Sequence, residues 1–190
     1  MGKINLKNFI ERERRLDRIV RFSAHSRIRD QSVSEHSFHC AIYAMILADM
    51  EEKIFGKKVD KERVLKSALL HDLEECLTGD IIHSFKYTDK NLAGEIEKVG
   101  QRFLLGLLDN LPPKISKNYL ELWKDSRDAK TIEGKIVEAA DKLEGLFYTL
   151  DEFSMGNKKF KNIIKIYLEL LGKINLGSVK LILKEIKKGI

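Results

Sequence analysis

The only two prolines of this 190-residue chain are adjacent, at Pro112 and Pro113. A proline inside a helix removes a backbone hydrogen bond and clashes with the preceding turn. The long stretches on both sides of this pair can therefore form helices. Apolar residues recur at helical spacing, and no segment shows the sustained two-residue alternation of a half-buried strand. The sequence predicts an all-α fold with essentially no sheet.

Capping signals divide the chain into successive helices. Ser32 and Glu35 form a capping box before a long helix that ends near Phe55, ahead of Gly56. Asp60 is placed to cap the next helix. We expect a loop at 23–31 and helices at about 4–20, 32–55, 61–76, 88–111, 116–124, 130–155, 158–171 and 178–188. No repeat, low-complexity run or linker interrupts them, so we predict one domain over residues 1–190.

Composition favours an ordinary water-soluble protein with a highly charged surface. Hydrophobic residues make up 43% of the chain and charged residues 34%. No run approaches the roughly 18 apolar residues of a membrane span, and the N-terminus lacks an apolar signal core. We therefore expect a cytoplasmic protein without a membrane partner. Cys40 and Cys76 lack metal-ligand or redox spacing, and we interpret both as reduced, buried side chains.

The net charge of +6 has two interpretations. It can attract anionic substrates such as nucleotides, or it can belong to a solvated surface rich in Lys and Glu. Basic residues are spread along the chain and form no dense stripe, so we expect no nucleic-acid partner.

Four side chains suggest a metal site. His36, the pair His71-Asp72, and Asp141 supply two imidazoles and two carboxylates. Such ligands suit a first-row divalent metal and leave coordination positions open for water. Asp141 lies in an otherwise apolar helical stretch, where a metal would offset the cost of burying its charge. A salt bridge to a neighbouring Lys or Arg is the alternative explanation for Asp141.

Glu75 is the best-placed acid or base beside these ligands. In the predicted helix 61–76, His71 and Glu75 are four residues apart and therefore share a face. Asp80 follows at the end of the same helix and is the second candidate. A buried His beside an exposed acidic helix end is the structural alternative for this group. His39 could face the same way as His36, and we interpret it as a core residue or a support for the ligands.

Three segments carry a resemblance to a known family. They are Val33-Ser34-Glu35-His36-Ser37, His71-Asp72-Leu73-Glu74-Glu75 and Thr78-Gly79-Asp80. They resemble the HD-domain metal-dependent phosphohydrolases, and within these the small, single-domain 5′-deoxynucleotidases. The resemblance extends over a core of about residues 16–146, followed by the C-terminal helices at 158–188. It implies a helical bundle of about five helices with the metal in its middle.

The resemblance also implies roles for individual residues. Glu75 and Asp80 would both serve catalysis, and we assign proton transfer to Glu75 and orientation of the substrate or leaving group to Asp80. Arg21-Phe22 occupies the position where deoxynucleotidases carry Arg followed by Trp. Arg21 would grip the 5′-phosphate, and the alternative interpretation is an exposed cation at a helix end. Phe22 would wall off the sugar, but it lacks the indole N–H, which leaves the sugar selectivity open.

Other basic residues and histidines are weaker candidates. Arg27, Arg29 and Lys86 could also face the phosphate, while His25 and His83 are substrate-side or surface residues. His83 alone lies between His71-Asp72 and Asp141, and this scarcity favours one catalytic metal.

We predict a phosphomonoesterase that converts deoxynucleoside 5′-monophosphates to deoxynucleoside and phosphate. Its cofactor would be one divalent first-row transition metal ion, such as Mn, Co, Ni or Zn. The resemblance favours a homodimer. One alternative is another HD phosphohydrolase, acting on nucleoside triphosphates or as a phosphodiesterase. The other is a non-catalytic, nucleotide-sensing helical protein with a structural metal, which would need neither Glu75 nor Asp80.

Overall fold

The computed structural model describes residues 4–81 and 89–189. Over these residues the protein is all-α, which confirms the predicted fold class. The only β contact in the described chain is an isolated bridge between Val20 and Ser32. None of the helices in these two ranges combines the length and the apolar character needed to cross a membrane.

The helices of the described residues follow one another along the chain. They are α1 (Leu6–Glu13), a 3₁₀ helix (Arg14–Arg18), α2 (Val33–Lys53), α3 (Lys61–Leu70), α4 (Glu75–Thr78), α5 (Lys90–Leu108), α6 (Pro113–Asp128), α7 (Ile132–Ser154), a 3₁₀ turn (Lys158–Phe160), α8 (Lys161–Lys173) and α9 (Gly177–Gly189).

The helices begin where the capping signals predict. The Glu35 carboxylate accepts from the backbone N–H of Ser32 at 2.7 Å, and the Ser32 hydroxyl accepts from the N–H of Glu35 at 3.2 Å, as in a capping box. Asp60 accepts from the N–H of Arg63 at 3.0 Å. Gly56 follows α2 with a φ of +64°, a conformation that glycine adopts without strain.

Three predicted helices have wrong boundaries. The helix expected at 4–20 covers only Leu6–Glu13, and a 3₁₀ helix follows it at Arg14–Arg18. The helix expected at 116–124 begins at Pro113 and extends to Asp128. Proline suits the first position of a helix because the N–H that it lacks would have no intrahelical partner there. The helix expected over 61–76 ends at Leu70, and helical structure resumes only at Glu75.

The described chain divides into two compact units, each built from two stretches of sequence. The first unit comprises 1–36 and 72–121. Within it, α1 and α4 pack against each other and against the 3₁₀ helix, and both contact α5. Its buried apolar side chains are Leu16, Val33, Leu73, Cys76, Leu104, Leu107, Leu108 and Leu111.

The second unit comprises 37–71 and 122–190. Within it, α7 packs against α3 and α8, and α8 packs against α9. Gly145 of α7 allows close approach of Tyr167 of α8, because a Cβ at this position would lie 2.3 Å from the Tyr167 ring. The core side chains include Leu47, Val64, Ile136, Leu146 and Leu171. A single domain over residues 1–190 stays a prediction.

A buried carboxylate fixes the start of α9 in the second unit. Glu51 is almost fully buried, and one of its oxygens accepts from both the backbone N–H and the hydroxyl of Ser178, each at 2.7 Å. These donors compensate the carboxylate for the water that it loses on folding. Glu51 therefore holds the first turn of α9 against α2.

We expect Ser178→Ala to lower the free energy of unfolding by about 1.5–3 kcal/mol, the usual range for a hydrogen bond to a charged group. Urea denaturation measures this change. Ser154→Ala is the matched control, because the exposed Ser154 hydroxyl donates only to the carbonyl of Asp151. Equal unfolding midpoints for the two variants would contradict the role given to Glu51.

Candidate active site

The loop before α2 is closed at its base by backbone hydrogen bonds. The N–H of Arg21 donates to the carbonyl of Gln31, and the N–H of Val33 donates to the carbonyl of Ile19, both at 2.9 Å. This closure places Arg21 and Phe22 at the start of the loop that leads to α2.

Phe22 has a φ of +53°, which is costly for a residue with a large side chain. Both of its backbone polar groups are held. The N–H donates to an Asp80 carboxylate oxygen at 3.2 Å, and the carbonyl accepts from Arg27 at 3.1 Å. Two side chains therefore stabilise the strained conformation that fixes the direction of the Phe22 ring.

Arg21 is buried beside carboxylates. Its Nη1 lies 3.5 Å from Asp72 Oδ2, and its guanidinium lies over the Phe22 ring at 5.8 Å from the centroid. A cation in such a position is only partly screened by water, so its charge acts strongly on neighbouring groups.

His36 lies in the first turn of α2 and is fully buried. Its Nε2 lies 3.4 Å from Asp72 Oδ2. Two ligand atoms that each lie about 2.1 Å from one ion at a tetrahedral angle are about 3.4 Å apart. The first unit thus holds two of the predicted ligands at a separation that suits a single metal ion.

The other two predicted ligands belong to the second unit. His71 and Asp141 are both among the candidate metal ligands whose ligand atoms lie within 4.8 Å of one another. The His71 Nδ1 lies 2.7 Å from the carbonyl of Ala68, a contact in which Nδ1 carries the proton. This tautomer leaves the lone pair of Nε2 for a metal, as is usual for ligating histidines.

Asp141 also forms a salt bridge, which was the alternative explanation for its position in an apolar helical stretch. Lys142 Nζ lies 2.7 Å from Asp141 Oδ2. Lys142 directly follows Asp141 in the sequence, so it is the neighbouring basic residue that this alternative requires. A carboxylate has a second oxygen, and the pair with Lys142 is therefore compatible with metal binding through Oδ1.

His71, Asp72 and Glu75 do not share one regular helix. The His71 carbonyl accepts from Arg127 Nη2 at 2.8 Å, whereas in a continuous α-helix it would accept from the N–H of Glu75. That N–H donates to the carbonyl of Asp72 at 3.0 Å. The hydrogen-bond pattern of a continuous α-helix is therefore interrupted between His71 and Glu75, and the prediction that the two residues share one helix is wrong.

Glu75 nevertheless lies among the predicted site residues. Its Oε2 is buried and has no hydrogen-bond partner in residues 4–81 and 89–189. Burial raises the pKa of Glu75 well above its ordinary value, the charges of Asp72 and Asp80 raise it further, and Arg21 lowers it. A carboxyl group with a raised pKa is suited to accepting and releasing a proton near neutral pH.

Asp80 follows Gly79, whose φ of +73° ends α4 and turns the chain. Burial raises the pKa of Asp80, while Arg21 and the N–H of Phe22 lower it. Asp80 therefore lies close enough to Arg21 and Asp72 to interact with their charges. Its observed bond to Phe22 shows that it supports the loop.

The weaker candidates for phosphate or substrate binding each have other neighbours. Arg27 contacts the Asp30 carboxylate at 2.7 Å, and Arg29 lies 3.9 Å from Glu35, so both have acidic neighbours. His25 is exposed, with its ring 6.1 Å from that of Phe22. His39 packs between Phe38 and Tyr43, at ring separations of 5.4 and 6.4 Å. His83 and Lys86 lie outside the described residues.

The contact between Arg127 and His71 has no signal in the sequence. The two residues are 56 positions apart, and nothing near Arg127 marks it as different from the other basic residues of the chain. Only tertiary packing brings its guanidinium to the His71 carbonyl.

Known proteins resemble this chain over most of its length. A family model described as 5′-deoxynucleotidase YfbR-like matches residues 8–190. A 5′-deoxynucleotidase of Photorhabdus temperata is 32% identical over 164 residues, which cover 86% of this chain and 82% of that protein. A 5′-deoxynucleotidase of Klebsiella pneumoniae is 35% identical over 149 residues, with coverages of 77% and 73%.

Solved structures share the fold. An HD-domain phosphohydrolase from Listeria innocua superposes with a TM-score of 0.82 at 29% identity, over 97% of this chain and 88% of that one. A cyanophage S-2L HD phosphohydrolase, bound to dA and one catalytic Zn²⁺, superposes with a TM-score of 0.64 at 14% identity, over 95% and 96%. These similarities confirm the resemblance inferred from the three sequence motifs.

Proposed function

Since the chain belongs to the YfbR-like 5′-deoxynucleotidase family, we propose how its residues hydrolyse deoxynucleoside 5′-monophosphates to deoxynucleoside and phosphate. The activity is that of a metal-dependent phosphohydrolase. The observation that carries the residue assignment is the 3.4 Å separation of His36 Nε2 and Asp72 Oδ2, next to the buried Arg21.

One divalent cation would be held by His36, His71, Asp72 and Asp141. His36 and Asp72 are close together in the first unit, as are His71 and Asp141 in the second. The peptide bond between His71 and Asp72 joins the two pairs. The neutral imidazoles and the carboxylates suit Mn, Co, Ni or Zn. A cation bound there would lower the pKa of a water molecule and polarise a phosphoryl oxygen.

Glu75 would take the proton of the attacking water and pass a proton to the leaving 5′-oxygen. Its raised pKa and its buried, unpartnered Oε2 support this role. A bound cation would favour the ionised form and bring the pKa of Glu75 down again, so that the group can accept a proton at neutral pH.

Arg21 would bind the phosphate of the substrate. A guanidinium presents paired N–H donors that match two phosphoryl oxygens, and its charge spreads the negative charge that develops during attack. The burial of Arg21 beside Asp72 supports this role, because water competes little for its donors. Arg27 instead organises the loop through Phe22 and Asp30.

Asp80 would act on the substrate mainly through Phe22. By accepting the Phe22 N–H it holds the ring in a direction that the backbone would otherwise avoid. A Phe22 ring packed against C2′ would leave a ribose hydroxyl buried without a partner. Deoxyribose selectivity would then depend on Phe22 and Asp80 together. The dA named for the cyanophage protein supports a deoxynucleoside as the bound class.

Asp72→Ala and Glu75→Gln should separate metal binding from proton transfer. Asp72→Ala removes an anionic ligand, so we expect it to lose both the metal and the activity. Glu75→Gln keeps the shape of the side chain but cannot carry the proton, so we expect full metal content with a rate about 10²–10⁴-fold lower. Metal content is measured by elemental analysis and the rate by phosphate release.

Either variant can contradict the assignment. Full metal content and full activity in Asp72→Ala would exclude Asp72 as a ligand. A loss of metal from Glu75→Gln in proportion to its loss of activity would make Glu75 a ligand or a support. Asp109→Ala is a suitable control, because Asp109 ends α5 outside the group described above.

A panel of substrates tests the phosphate and sugar contacts. Arg21→Ala should slow the turnover of dAMP strongly and leave metal affinity nearly unchanged. The wild-type protein should prefer dAMP to AMP by about 5- to 150-fold, which corresponds to about 1–3 kcal/mol for an unpaired buried hydroxyl. Both Phe22→Ala and Asp80→Ala should reduce that preference. The measurement is kcat/KM for dAMP, AMP and dATP.

The same panel discriminates between the alternatives. Faster hydrolysis of dATP than of dAMP would indicate a triphosphohydrolase, and no hydrolysis with any metal would indicate a non-catalytic nucleotide-binding protein. Equal rates on dAMP and AMP would show that Phe22 does not distinguish the sugar. The cytoplasmic location stays a prediction.

We also propose that a second copy of the chain covers the outer face of α2. Four apolar side chains are exposed there at helical spacing, namely Phe38, Ile42, Met45 and Ile46. Cys40, Ala44, Leu47 and Ala48, on the opposite face of the same helix, belong to the core of the second unit. A surface helix with apolar residues on both faces favours an interface, and the family resemblance favours a homodimer.

Light scattering should give twice the chain mass of 21.9 kDa for the wild-type protein. Ile42→Glu should reduce the mass to that of one chain, because it introduces a charge into the proposed interface. Leu69→Glu is the control, since Leu69 is exposed on α3 and lies outside this stripe. A wild-type protein with the mass of one chain would contradict the homodimer.

A further inference from the structure

Arg127 contacts one of the proposed metal ligands through the backbone. It lies in the last turn of α6, and its Nη2 donates to the His71 carbonyl at 2.8 Å. We propose that Arg127 is a positioning residue that holds His71 in the geometry needed to bind the cation. This inference rests on the proposed metal site, and it makes Arg127 one of the residues that set the affinity of that site for the metal.

The helix α3 ends one residue before the ligand His71. The guanidinium takes the carbonyl that the next helical turn would use, and α3 ends at Leu70. A charge-assisted hydrogen bond is roughly twice as strong as a neutral one, so Arg127 is a strong donor to a carbonyl at the end of α3. The ligand therefore sits at a defined helix end rather than within a helix.

His71 is held both at its backbone and at its side chain. The backbone is held at the carbonyl by Arg127, and the imidazole is held at Nδ1 by the carbonyl of Ala68, at 2.7 Å. With both contacts in place, little rotation is left to the ring. A metal site gains affinity when its ligands are ordered before the ion arrives, because the ordering entropy is then not lost on binding.

Arg127 is itself held in place by a neighbouring aromatic ring. Its guanidinium lies 5.4 Å from the centroid of the Trp123 ring, and Trp123 is almost fully buried. Stacking on an indole holds the planar guanidinium in one orientation. The buried Trp123 ring therefore holds the guanidinium in the position from which it donates to the His71 carbonyl.

The end of α6 also forms hydrogen bonds with α3, which His71 follows directly, and with the N-cap of α7, the helix that contains Asp141. Asp125 accepts from Arg63 of α3 at 2.9 and 3.0 Å. It also accepts from the hydroxyl of Thr131 at 2.8 Å. Thr131 is the N-cap of α7, the helix of Asp141. Arg127 thus acts from a helix end that is connected to the supports of both ligands.

Cobalt binding tests this role without depending on turnover. Metal-stripped wild-type protein, Arg127→Gln and Arg127→Lys are titrated with Co²⁺, and the visible absorption of the bound ion reports affinity and coordination geometry. We expect about 10- to 100-fold weaker binding and a changed spectrum for Arg127→Gln, the range typical of residues that support metal ligands. Arg127→Lys keeps a cationic donor and should recover part of the affinity.

Arg63→Gln is the matched control. It removes the same side-chain type from the same helix-end network but leaves the bond to His71 in place. It should lower the melting temperature and change the affinity and spectrum of Co²⁺ much less than Arg127→Gln does. The proposal is overturned if Arg127→Gln binds Co²⁺ like the wild type. It is also overturned if Arg63→Gln weakens binding equally, because the effect would then be general loosening.

The wild-type titration keeps this inference separate from the proposed function. If the wild-type protein fails to bind Co²⁺, the metal site itself is wrong. If it binds Co²⁺ and Arg127→Gln is unaffected, only the role of Arg127 is wrong.

Discussion

Three acidic side chains, Asp72, Glu75 and Asp80, occupy one partly buried region, and their mutual repulsion is the constraint on which the rest of the site depends. The charges of Asp72 and Asp80 raise the pKa of Glu75, and burial raises the pKa values of both Glu75 and Asp80. Arg21 offsets part of this charge. A divalent cation at the proposed ligands would offset more of it and would release Glu75 to act as a base. The same cluster thus explains why the site needs a cation and how it can move a proton.

The strained loop residue and the broken helix serve the same region. Phe22 keeps a positive φ because Asp80 and Arg27 hold its backbone groups, and Arg127 donates to the His71 carbonyl just after α3 ends at Leu70. In both places a side chain distant in sequence binds the backbone where it departs from regular structure. Such departures from local preference are expected at functional sites, where stability is given up for geometry.

The sequence predicted what depends on local signals. Helix starts followed from capping residues such as Ser32. The motif of His36, His71, Asp72 and Asp141 predicted a ligand set, and the structure brings His36 and Asp72 of this set to 3.4 Å from each other. It did not predict the break between α3 and α4, because the apolar pattern continues through residue 76. It did not predict the contact of Arg127 with the His71 carbonyl either, because the two residues are 56 positions apart. Nor did it predict the conformation of Phe22, which depends on a bond to Asp80 across 58 positions. Contacts between distant segments have no periodic trace in a sequence.

The central claim is that one divalent ion per chain enables phosphate release from a deoxynucleoside monophosphate. Metal-stripped protein at known concentration is titrated with Mn²⁺ or Co²⁺ while the initial rate of phosphate release from dAMP is measured. The account predicts no activity without metal, a linear rise and a plateau at one equivalent per chain. Activity in the stripped protein, or a plateau reached only at two equivalents, would contradict it.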